Sequence, residues 1–448
     1  MEPPSSTAQA AGDAASLDYL LWILHCSGTM RHPRSGSWST RIFYLRYIFC
    51  ILTIGYYCGI LVVLMWRAGF DDFDYFTLAL SLLDTYATWI FRLGHIAKRE
   101  RDFHTLAVQV RDDFGEFMAP RDVPLLRRHS RNQRRFVLAY LSLGMCDVST
   151  WLTSPMRDTG LPLDVILPFD TAHPIGWAAG WLYCAFITVH AVVMNMMADA
   201  FNVSLMAQLR MQLIILRKNI NDLASNGESA VSSKSRTTFK GAERPWKLYT
   251  RMYKPYPLRK FNNHNQKMNS IMLVAEAKKH QQSSEFSNSN DIHYRLKRII
   301  IQHQTIIRNT EFLQKCLGGM LLGQSLALGV AICILLFQVG LSAQSARETG
   351  KFGAYLCAMF TELSVYCWFG DKLMSESEKV AFAAYDVVTS MQECPVSIKR
   401  TLLLIMLRAQ RPLCITAAGF FPFSRESFVS IINVSYSFFA ILRNFKEE

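Results

Sequence analysis

Three long runs without a charged residue constrain this chain more than any other feature of its sequence. They cover residues 47–66, 175–198 and 316–346 and contain 20, 24 and 31 residues. A helix needs about 20 apolar residues to cross the hydrocarbon core of a bilayer. Each run therefore predicts a membrane-spanning helix. Only 19% of the 448 residues are charged, against about 25% in soluble domains, so the composition argues against an ordinary soluble enzyme.

Four weaker apolar segments extend the prediction to seven spans. Three of them contain a single acid: residues 75–91 with Asp84, 136–152 with Asp147 and 352–369 with Glu362. The fourth segment, 427–442, is short but uncharged. Because a charge against lipid is costly, we expect the three acids to face the helix bundle or water. The predicted fold class is an all-α integral membrane protein with seven transmembrane helices.

The basic residues indicate how these spans are oriented. Of the 48 Lys and Arg residues, 42 lie in residues 1–46, 92–135, 206–315 and 372–426, which share one side of the membrane. Without the long segment 206–315, 22 basic residues remain on that side against 6 on the other. Since cytoplasmic loops carry the basic excess, the N-terminus is predicted to be cytoplasmic and the C-terminus extracellular. The net charge of +13 comes without a nucleic-acid-binding motif, so no nucleic-acid partner is predicted.

The cytoplasmic side is predicted to hold more than connectors. The fourth span continues as an apolar helix to residue 216, and amphipathic stripes precede the fifth span, follow the sixth and follow Pro395. These helices predict a cytoplasmic anchor bundle, although such helices can also lie flat on a membrane. Residues 222–291, rich in Ser, Asn, Lys and Gln, are predicted to form a mobile loop. The predicted organisation is an N-terminal cytoplasmic segment (1–46), spans one to four (47–205), cytoplasmic helical extensions (206–315), spans five and six (316–371), anchor helices (372–426) and the seventh span (427–448).

The seventh predicted span carries a polar stripe along one helical face. Such a stripe either packs against neighbouring helices through small residues or lines a water-filled pore with an apolar residue as its gate. Periodicity leaves both interpretations open, and one stripe per chain would need several subunits around an axis to enclose a pore. In the pore interpretation, Ile441 and Phe445 form apolar rings near the extracellular mouth. The candidate pore residues are Ser430, Asn433, Ser437, Ile441, Asn444 and Phe445.

The chain shows no sequence motif of an enzyme. A Walker loop, GxSxG, HExxH and a GxGxxG set between a strand and a helix are all absent from the sequence. Cys and His residues show no metal-ligand spacing. We therefore predict no catalytic residues, no metal site and no cofactor.

Two C-terminal stretches, 366–387 and 399–442, carry distinctive sequences. The most specific are YCWFG at 366–370, the pair Glu376-Ser377, RAQRP at 408–412 and SYS at 435–437. Together they resemble the signature of the insect odorant receptor family. The resemblance implies an odorant-gated, nonselective cation channel whose last helix lines the pore. It also implies a heterotetramer with odorant co-receptor subunits in the plasma membrane of olfactory neurons.

The last helix also indicates which kind of subunit the chain resembles. The co-receptor and its gustatory relatives carry Thr-Tyr, five mostly apolar residues and then Gln, where this chain has Ser437-Phe438 and Asn444. The difference implies a ligand-tuned subunit rather than the co-receptor.

The family resemblance further implies that a small volatile, hydrophobic ligand binds among the outer halves of the spans. Aromatic and Met side chains offer such a ligand contact area and adaptable shape. Each of them can equally be an ordinary core residue of a helical bundle. The candidate ligand-binding residues are Phe76, Leu80, Leu83, Tyr86, Met145, Thr150, Trp151, Tyr183, Phe186, His190, Tyr355 and Met359.

Two other functional classes stay open. A seven-helix metabotropic-type chemoreceptor would need its C-terminus in the cytoplasm, opposite to the predicted orientation. A membrane transporter without channel activity would commonly carry an internal repeat, and we find none in the sequence.

Overall fold

The computed structural model describes residues 18–26, 29–31, 36–69, 72–154, 160–241, 264–341, 346–390 and 395–447, with the backbone alone at 18, 26, 37, 224–241, 264–291, 341 and 445–447. The described part of the chain is helical, apart from short connections and one antiparallel bridge between Thr416 and Pro422. Its helices are α1 (Asp18–Cys26), α2 (Ser37–Ala68), α3 (Phe73–Lys98), α4 (Glu100–Phe117), α5 (Val123–Thr153), α6 (Pro174–Gly241), α7 (His264–Leu341), α8 (Ala346–Ser390), α9 (Val396–Ala409) and α10 (Arg425–Glu447).

The all-α prediction is confirmed. The uncharged runs 47–66 and 175–198 lie on α2 and α6, and residues 316–341 of the third run lie on α7. Within the described residues, five helical stretches are long and apolar enough to cross a membrane: Trp38–Ala68, Pro120–Thr153, Pro174–Leu223, Ile292–Gly340 and Ala346–Ser390. The predicted second and seventh spans lie on α3 and α10, which are helical but less apolar. The count of seven spans and their orientation therefore stay predictions.

The chain forms two compact units. The first contains residues 1–212, 306–376 and 413–448, and the second contains residues 213–305 and 377–412. The core of the first unit includes Ile54 and Tyr57 of α2, Trp89 of α3 and Leu335 of α7, each no more than 1% exposed. Burial of such large side chains contributes about 1.5–3 kcal/mol each, and this core fixes the relative positions of the helices that form the site described below.

The second unit buries the amphipathic stripes expected from the sequence. Leu296 and Ile299 of α7, and Ile398 and Leu402 of α9, are buried. Inside this unit, the Asn219 side-chain amide on α6 donates a hydrogen bond to Gln302 Oε1 on α7 at 2.9 Å. Packed helices are what the anchor-bundle prediction requires, while its cytoplasmic location stays a prediction. The predicted mobile loop, 222–291, lies almost wholly where side chains are not described.

A segment between α5 and α6 packs against the helices of the first unit, to which it belongs. Gly160 has a φ of 65°, a left-handed conformation that glycine adopts without strain. Leu161 and Leu163 follow it and are each 1% exposed. The Tyr56 hydroxyl on α2 donates a hydrogen bond to the Ile166 carbonyl at 2.8 Å. The segment is therefore attached to the bundle, and it places Leu163 beside the site.

Candidate functional site

A cavity of about 70 Å³ lies inside the first unit, among α3, α5, α6 and α8. Five buried aromatic residues form much of its wall: Tyr86 and Trp89 from α3, Tyr140 and Trp151 from α5 and Tyr355 from α8. The Trp151 and Tyr355 rings meet edge to face, with centroids 5.7 Å apart. A wall of this composition suits a small, mainly apolar guest.

The cavity is small, and part of its wall is adaptable. An apolar cavity of about 150 Å³ holds benzene, so a ring-sized ligand would require wall side chains to move. Met196 and Met359 lie on the wall, and unbranched Met side chains rearrange readily. A Cβ atom added at Gly144 would fall 2.0 Å from the Met196 Sδ atom. The absence of a side chain at Gly144 is therefore what gives Met196 its present position.

Polar groups interrupt the apolar wall. The hydroxyls of Thr85 and Tyr355 hydrogen-bond to each other, and the Asn195 amide donates to Glu362 Oε2 at 3.4 Å. Asp147 and Glu362 supply two carboxyl groups to the wall, whereas none of the described wall residues is Lys, Arg or His. The carboxyl groups of the wall can therefore accept hydrogen bonds from a ligand, and no basic side chain of the described wall competes for them.

Glu362 also belongs to a buried ionic cluster. Arg92, which is 0% exposed, donates to Glu362 Oε1 from Nη1 at 3.1 Å and to Asp199 from Nη2. Removing one member of a buried, hydrogen-bonded ion pair leaves an uncompensated charge, which costs about 3–5 kcal/mol. The cluster therefore couples α3, α6 and α8 strongly at this level of the bundle.

Hydrogen bonds extend the cluster to two more helices. The Tyr140 hydroxyl of α5 donates to Asp199 Oδ2 at 3.2 Å, and the Tyr366 hydroxyl of α8 donates to Asp199 Oδ1 at 2.7 Å. The Gln324 amide of α7 donates to Glu362 Oε1 at 2.5 Å. Two residues of the cavity wall, Glu362 and Asn195, are thus linked to α7 through a single buried network.

Basic side chains tie the start of α8 to the end of α5. Lys351 is 4% exposed, and its ammonium donates to the Ser154 carbonyl at 3.3 Å. Arg347 donates to the Thr153 carbonyl. These carbonyls belong to the C-terminal turn of α5 or follow it, where the helix leaves acceptors without intrahelical partners and favours positive charge.

The last helix contacts α7 beside a larger groove. The Ser435 hydroxyl of α10 donates to the Gly329 carbonyl of α7 at 2.9 Å and lies equally close to the Ile431 carbonyl of its own helix. The groove between these helices has a volume of about 700 Å³ and includes Ser325, Val434 and Ile441 in its lining. Ser325 directly follows Gln324, which belongs to the buried network. One short stretch of α7 therefore contacts both the network and the groove beside α10.

The structure brings four of the twelve predicted ligand-binding residues to the cavity: Tyr86, Trp151, Tyr355 and Met359. Leu80 instead lines the groove beside α10, while Leu83 and Tyr183 pack against the core and Phe76 is half-buried. Met145 and Phe186 are 47% and 40% exposed. Thr150 bonds to the Asp147 carbonyl of its own helix, and His190 contacts Cys50 Sγ at 3.3 Å.

Of the predicted pore residues, Ser430 and Ile441 lie along the groove. Asn433, Ser437, Ile441 and Asn444 are exposed in the single chain. Phe445 falls outside the residues whose side chains are described. The exposed stripe is compatible with a surface that faces either water or a neighbouring subunit.

Sequence reasoning missed the centre of the buried network. It placed Arg92 at the start of a basic cytoplasmic segment, but the structure buries this residue completely. Asp199 follows the uncharged run 175–198 directly and was not singled out. Glu362 and Asp147 face the bundle as expected, with 6% and 5% exposure, and Asp84 is partly buried. One sequence signal points to such a network: acids within predicted spans require a buried partner, and a nearby basic residue such as Arg92 can provide it.

A family model, described as the 7tm odorant receptor family, matches residues 72–436. The chain belongs to this family. The match covers the cavity, the buried network and about half of α10, and it confirms the resemblance found in the C-terminal sequence. It identifies the chain as a multi-pass membrane receptor of insect olfaction rather than an enzyme.

Curated odorant receptors resemble this family member over part of their length. Odorant receptor 10 of Aedes albopictus is 33% identical over 146 residues, and odorant receptor Or2 of Anopheles gambiae is 30% identical over 148 residues. Each match covers 33% of this chain and 38% of the relative.

The fold of the receptor is similar to that of a solved structure. The insect olfactory receptor OR5 from Machilis hrabei, in complex with eugenol, gives a TM-score of 0.71 at 15% identity, over 96% of this chain and 97% of that one. A second structure of OR5 gives a TM-score of 0.70 at 16% identity, over 95% and 97%. At 15–16% identity, this similarity establishes the fold alone.

Proposed function

We propose that this receptor is an odorant-gated, nonselective cation channel subunit. It binds a small volatile ligand in the 70 Å³ cavity and opens a pore that it shares with co-receptor subunits in a heterotetramer. Its family membership supports the receptor role. The observation that carries the proposal is that Asn195 and Glu362 belong both to the cavity wall and to the network that reaches α7.

The network offers a route from ligand to last helix. A ligand that displaces the wall at Glu362 changes the geometry of its hydrogen bond from Gln324 on α7. The same helix contacts Ser435 of α10 through the Gly329 carbonyl. If the cavity is larger when α7 and α10 are in the open arrangement, ligand binding favours that arrangement by its difference in affinity for the two states.

The last helix supplies the proposed pore surface. Asn433, Ser437 and Asn444 are exposed in the single chain, as expected for polar side chains that line water around a shared axis. Ile441, 63% exposed, provides the apolar ring that excludes water in the closed state. Exposed Tyr436 and Phe438 on the same helix are available to pack against neighbouring subunits or lipid.

Electrical recording tests the proposed function directly. The chain is expressed with and without an odorant co-receptor, and current is recorded against a broad volatile panel. We expect odorant-evoked cation current from the pair. Silence under both conditions, with the chain at the cell surface, would contradict the proposal.

Two further measurements separate the competing classes. A C-terminal tag that is labelled only after permeabilisation would favour a metabotropic receptor. Saturable ligand uptake without current would favour a transporter. Labelling of the tag on intact cells, together with current, is the result that channel function requires.

A further inference from the structure

The cavity wall contains a carboxyl group with an unused acceptor. Asp147 of α5 is 5% exposed and lines the cavity. Its Oδ1 atom is buried and has no hydrogen-bond partner among the described residues. An unsatisfied buried acceptor is costly, so its persistence beside a cavity points to a partner that enters the cavity.

Several donors near the cavity are already engaged. The Tyr140 hydroxyl donates to Asp199, and the Asn195 amide donates to Glu362. The hydroxyls of Thr85 and Tyr355 pair with each other. Among the described wall residues, the atoms left without a partner are the acceptor Asp147 Oδ1, the Trp89 indole nitrogen and the Thr188 hydroxyl. Asp147 Oδ1 is the one carboxyl oxygen among them.

The nearest basic side chain at this end of the bundle is engaged as well. The Lys351 ammonium donates to the Ser154 carbonyl and lies 4.0 Å from the centroid of the Trp151 ring. Within the described residues, no basic nitrogen lies within 4.0 Å of an Asp147 carboxyl oxygen. The carboxyl group of Asp147 already interacts with Trp151 and Lys351, but the described residues supply no donor to its Oδ1 atom, and a ligand in the cavity can supply one.

We infer that Asp147 is a specificity-determining residue which selects small ligands carrying an N–H or O–H donor, a class that includes alcohols and primary amines. This inference rests on the proposed function of the cavity and names its ligand class. A hydroxyl donates to the carboxyl group as a neutral molecule. An ammonium adds a positive charge that the surrounding aromatic rings also attract. Aldehydes and hydrocarbons of the same chain length leave Asp147 Oδ1 without a partner, so they bind more weakly.

Thermal stabilisation of the purified receptor in lipid nanodiscs tests the inference without requiring a current. Ligands that bind the folded state raise the melting temperature, and at a fixed ligand concentration the rise grows with the logarithm of the affinity. The probes are matched unbranched series of two to eight carbons, as primary alcohols, primary amines, aldehydes and hydrocarbons. We expect the alcohol or the amine to bind at least about tenfold more tightly than the aldehyde of equal length. The comparison of alcohol with amine shows whether the preferred donor is neutral or charged.

Two variants assign the preference to Asp147. In Asp147→Leu, the affinity of the alcohol or amine should exceed that of the aldehyde by less than about threefold. Aldehydes and hydrocarbons should bind this variant as well as the unmodified receptor, or better. Asp147→Asn keeps a carbonyl acceptor and should retain part of the preference, which guards against loss of folding in the Leu variant. The control is Asp84→Leu, since Asp84 is a partly buried acid of a predicted span that does not line the cavity.

Several outcomes would overturn the inference. They are an affinity for alcohols and for amines that is in both cases no higher than for the aldehyde of equal length, an unchanged preference in both Asp147 variants, or no stabilisation by any member of the four series. A receptor that binds alcohols through Asp147 but conducts no current with a co-receptor would contradict the channel proposal instead. The two failures are therefore distinguishable.

Discussion

The ammonium nitrogen of Lys351 lies 4.0 Å from the centroid of the Trp151 ring. The two side chains join the beginning of α8 to the end of α5, and Trp151 is itself part of the cavity wall. Lys351 also donates to the Ser154 carbonyl, so one buried cation both caps α5 and holds an aromatic wall residue in place.

Replacing Lys351 by Met tests this contact. The variant loses a cation–π interaction and a charge-assisted hydrogen bond, so the unfolding free energy should fall by about 1–3 kcal/mol. Lys351→Arg keeps the positive charge and should lose less. The stability of both variants is measured as the melting temperature in nanodiscs. Equal melting temperatures for Lys351→Met and the unmodified receptor would show that the contact contributes nothing to stability.

Removal of Arg92 should be far more damaging. Arg92→Met leaves Asp199 and Glu362 buried without their cation, at a cost of about 3–5 kcal/mol. We expect little receptor at the cell surface, measured by surface labelling. Arg99→Met is the control, because Arg99 and its ion-pair partner Asp102 are 35% and 44% exposed, and surface pairs contribute about 0–1 kcal/mol.

A partial rescue would show that the damage is electrostatic. Adding Asp199→Asn to Arg92→Met removes one uncompensated carboxylate, so the double variant should reach the surface better than Arg92→Met alone. An interaction free energy near zero in this double-mutant cycle would contradict coupling between the two residues.

Filling the space at Gly144 should alter ligand selectivity. In Gly144→Ala the new methyl group would meet Met196 Sδ at 2.0 Å, so Met196 must move, and the room available to a ligand should shrink. Half-maximal concentrations should rise more for longer ligands than for shorter ones in concentration–response recordings. Gly94→Ala is the matched control, since its Cβ would have no atom within 4 Å. Identical selectivity in both variants would place the ligand elsewhere.

The contact between α7 and α10 can be tested by comparing two serine variants. Ser435→Ala removes the hydrogen bond to the Gly329 carbonyl, whereas Ser142→Ala removes only a bond to the Leu138 carbonyl within α5. We expect Ser435→Ala to shift the half-maximal odorant concentration several-fold relative to the unmodified receptor. If Ser142→Ala shifts it as much, transmission through Gly329 is not supported.

The apolar ring proposed at Ile441 has a distinct electrical signature. Ile441→Ser should let water into the closed constriction and raise the resting conductance. Leu404→Ser on α9 replaces an equally exposed residue, 66% against 63%, outside the proposed pore and should leave the resting current unchanged. An unchanged leak in Ile441→Ser would favour helix packing over pore lining.

The aromatic candidates show what the sequence could predict about the site. Orientation and span length selected the outer halves of the helices, and Tyr86, Trp151, Tyr355 and Met359 do line the cavity. Met145 lies in the same stretch of α5 and is exposed. Composition identifies which side chains could form an apolar pocket, but the rotation of each helix about its axis decides which ones do, and that rotation depends on the packing of all its neighbours.

The sequence by itself determined that this chain is a helical membrane protein, because uncharged runs of 20 residues or more have no stable place in water, and its C-terminal motifs determined the family. Only the tertiary structure decided that Arg92 is buried between Asp199 and Glu362, and that Asp147 has an open acceptor beside a cavity. These residues are up to 270 positions apart in the chain. Their charges become partners only when packing excludes water and brings separate helices within hydrogen-bonding distance, which no local pattern records.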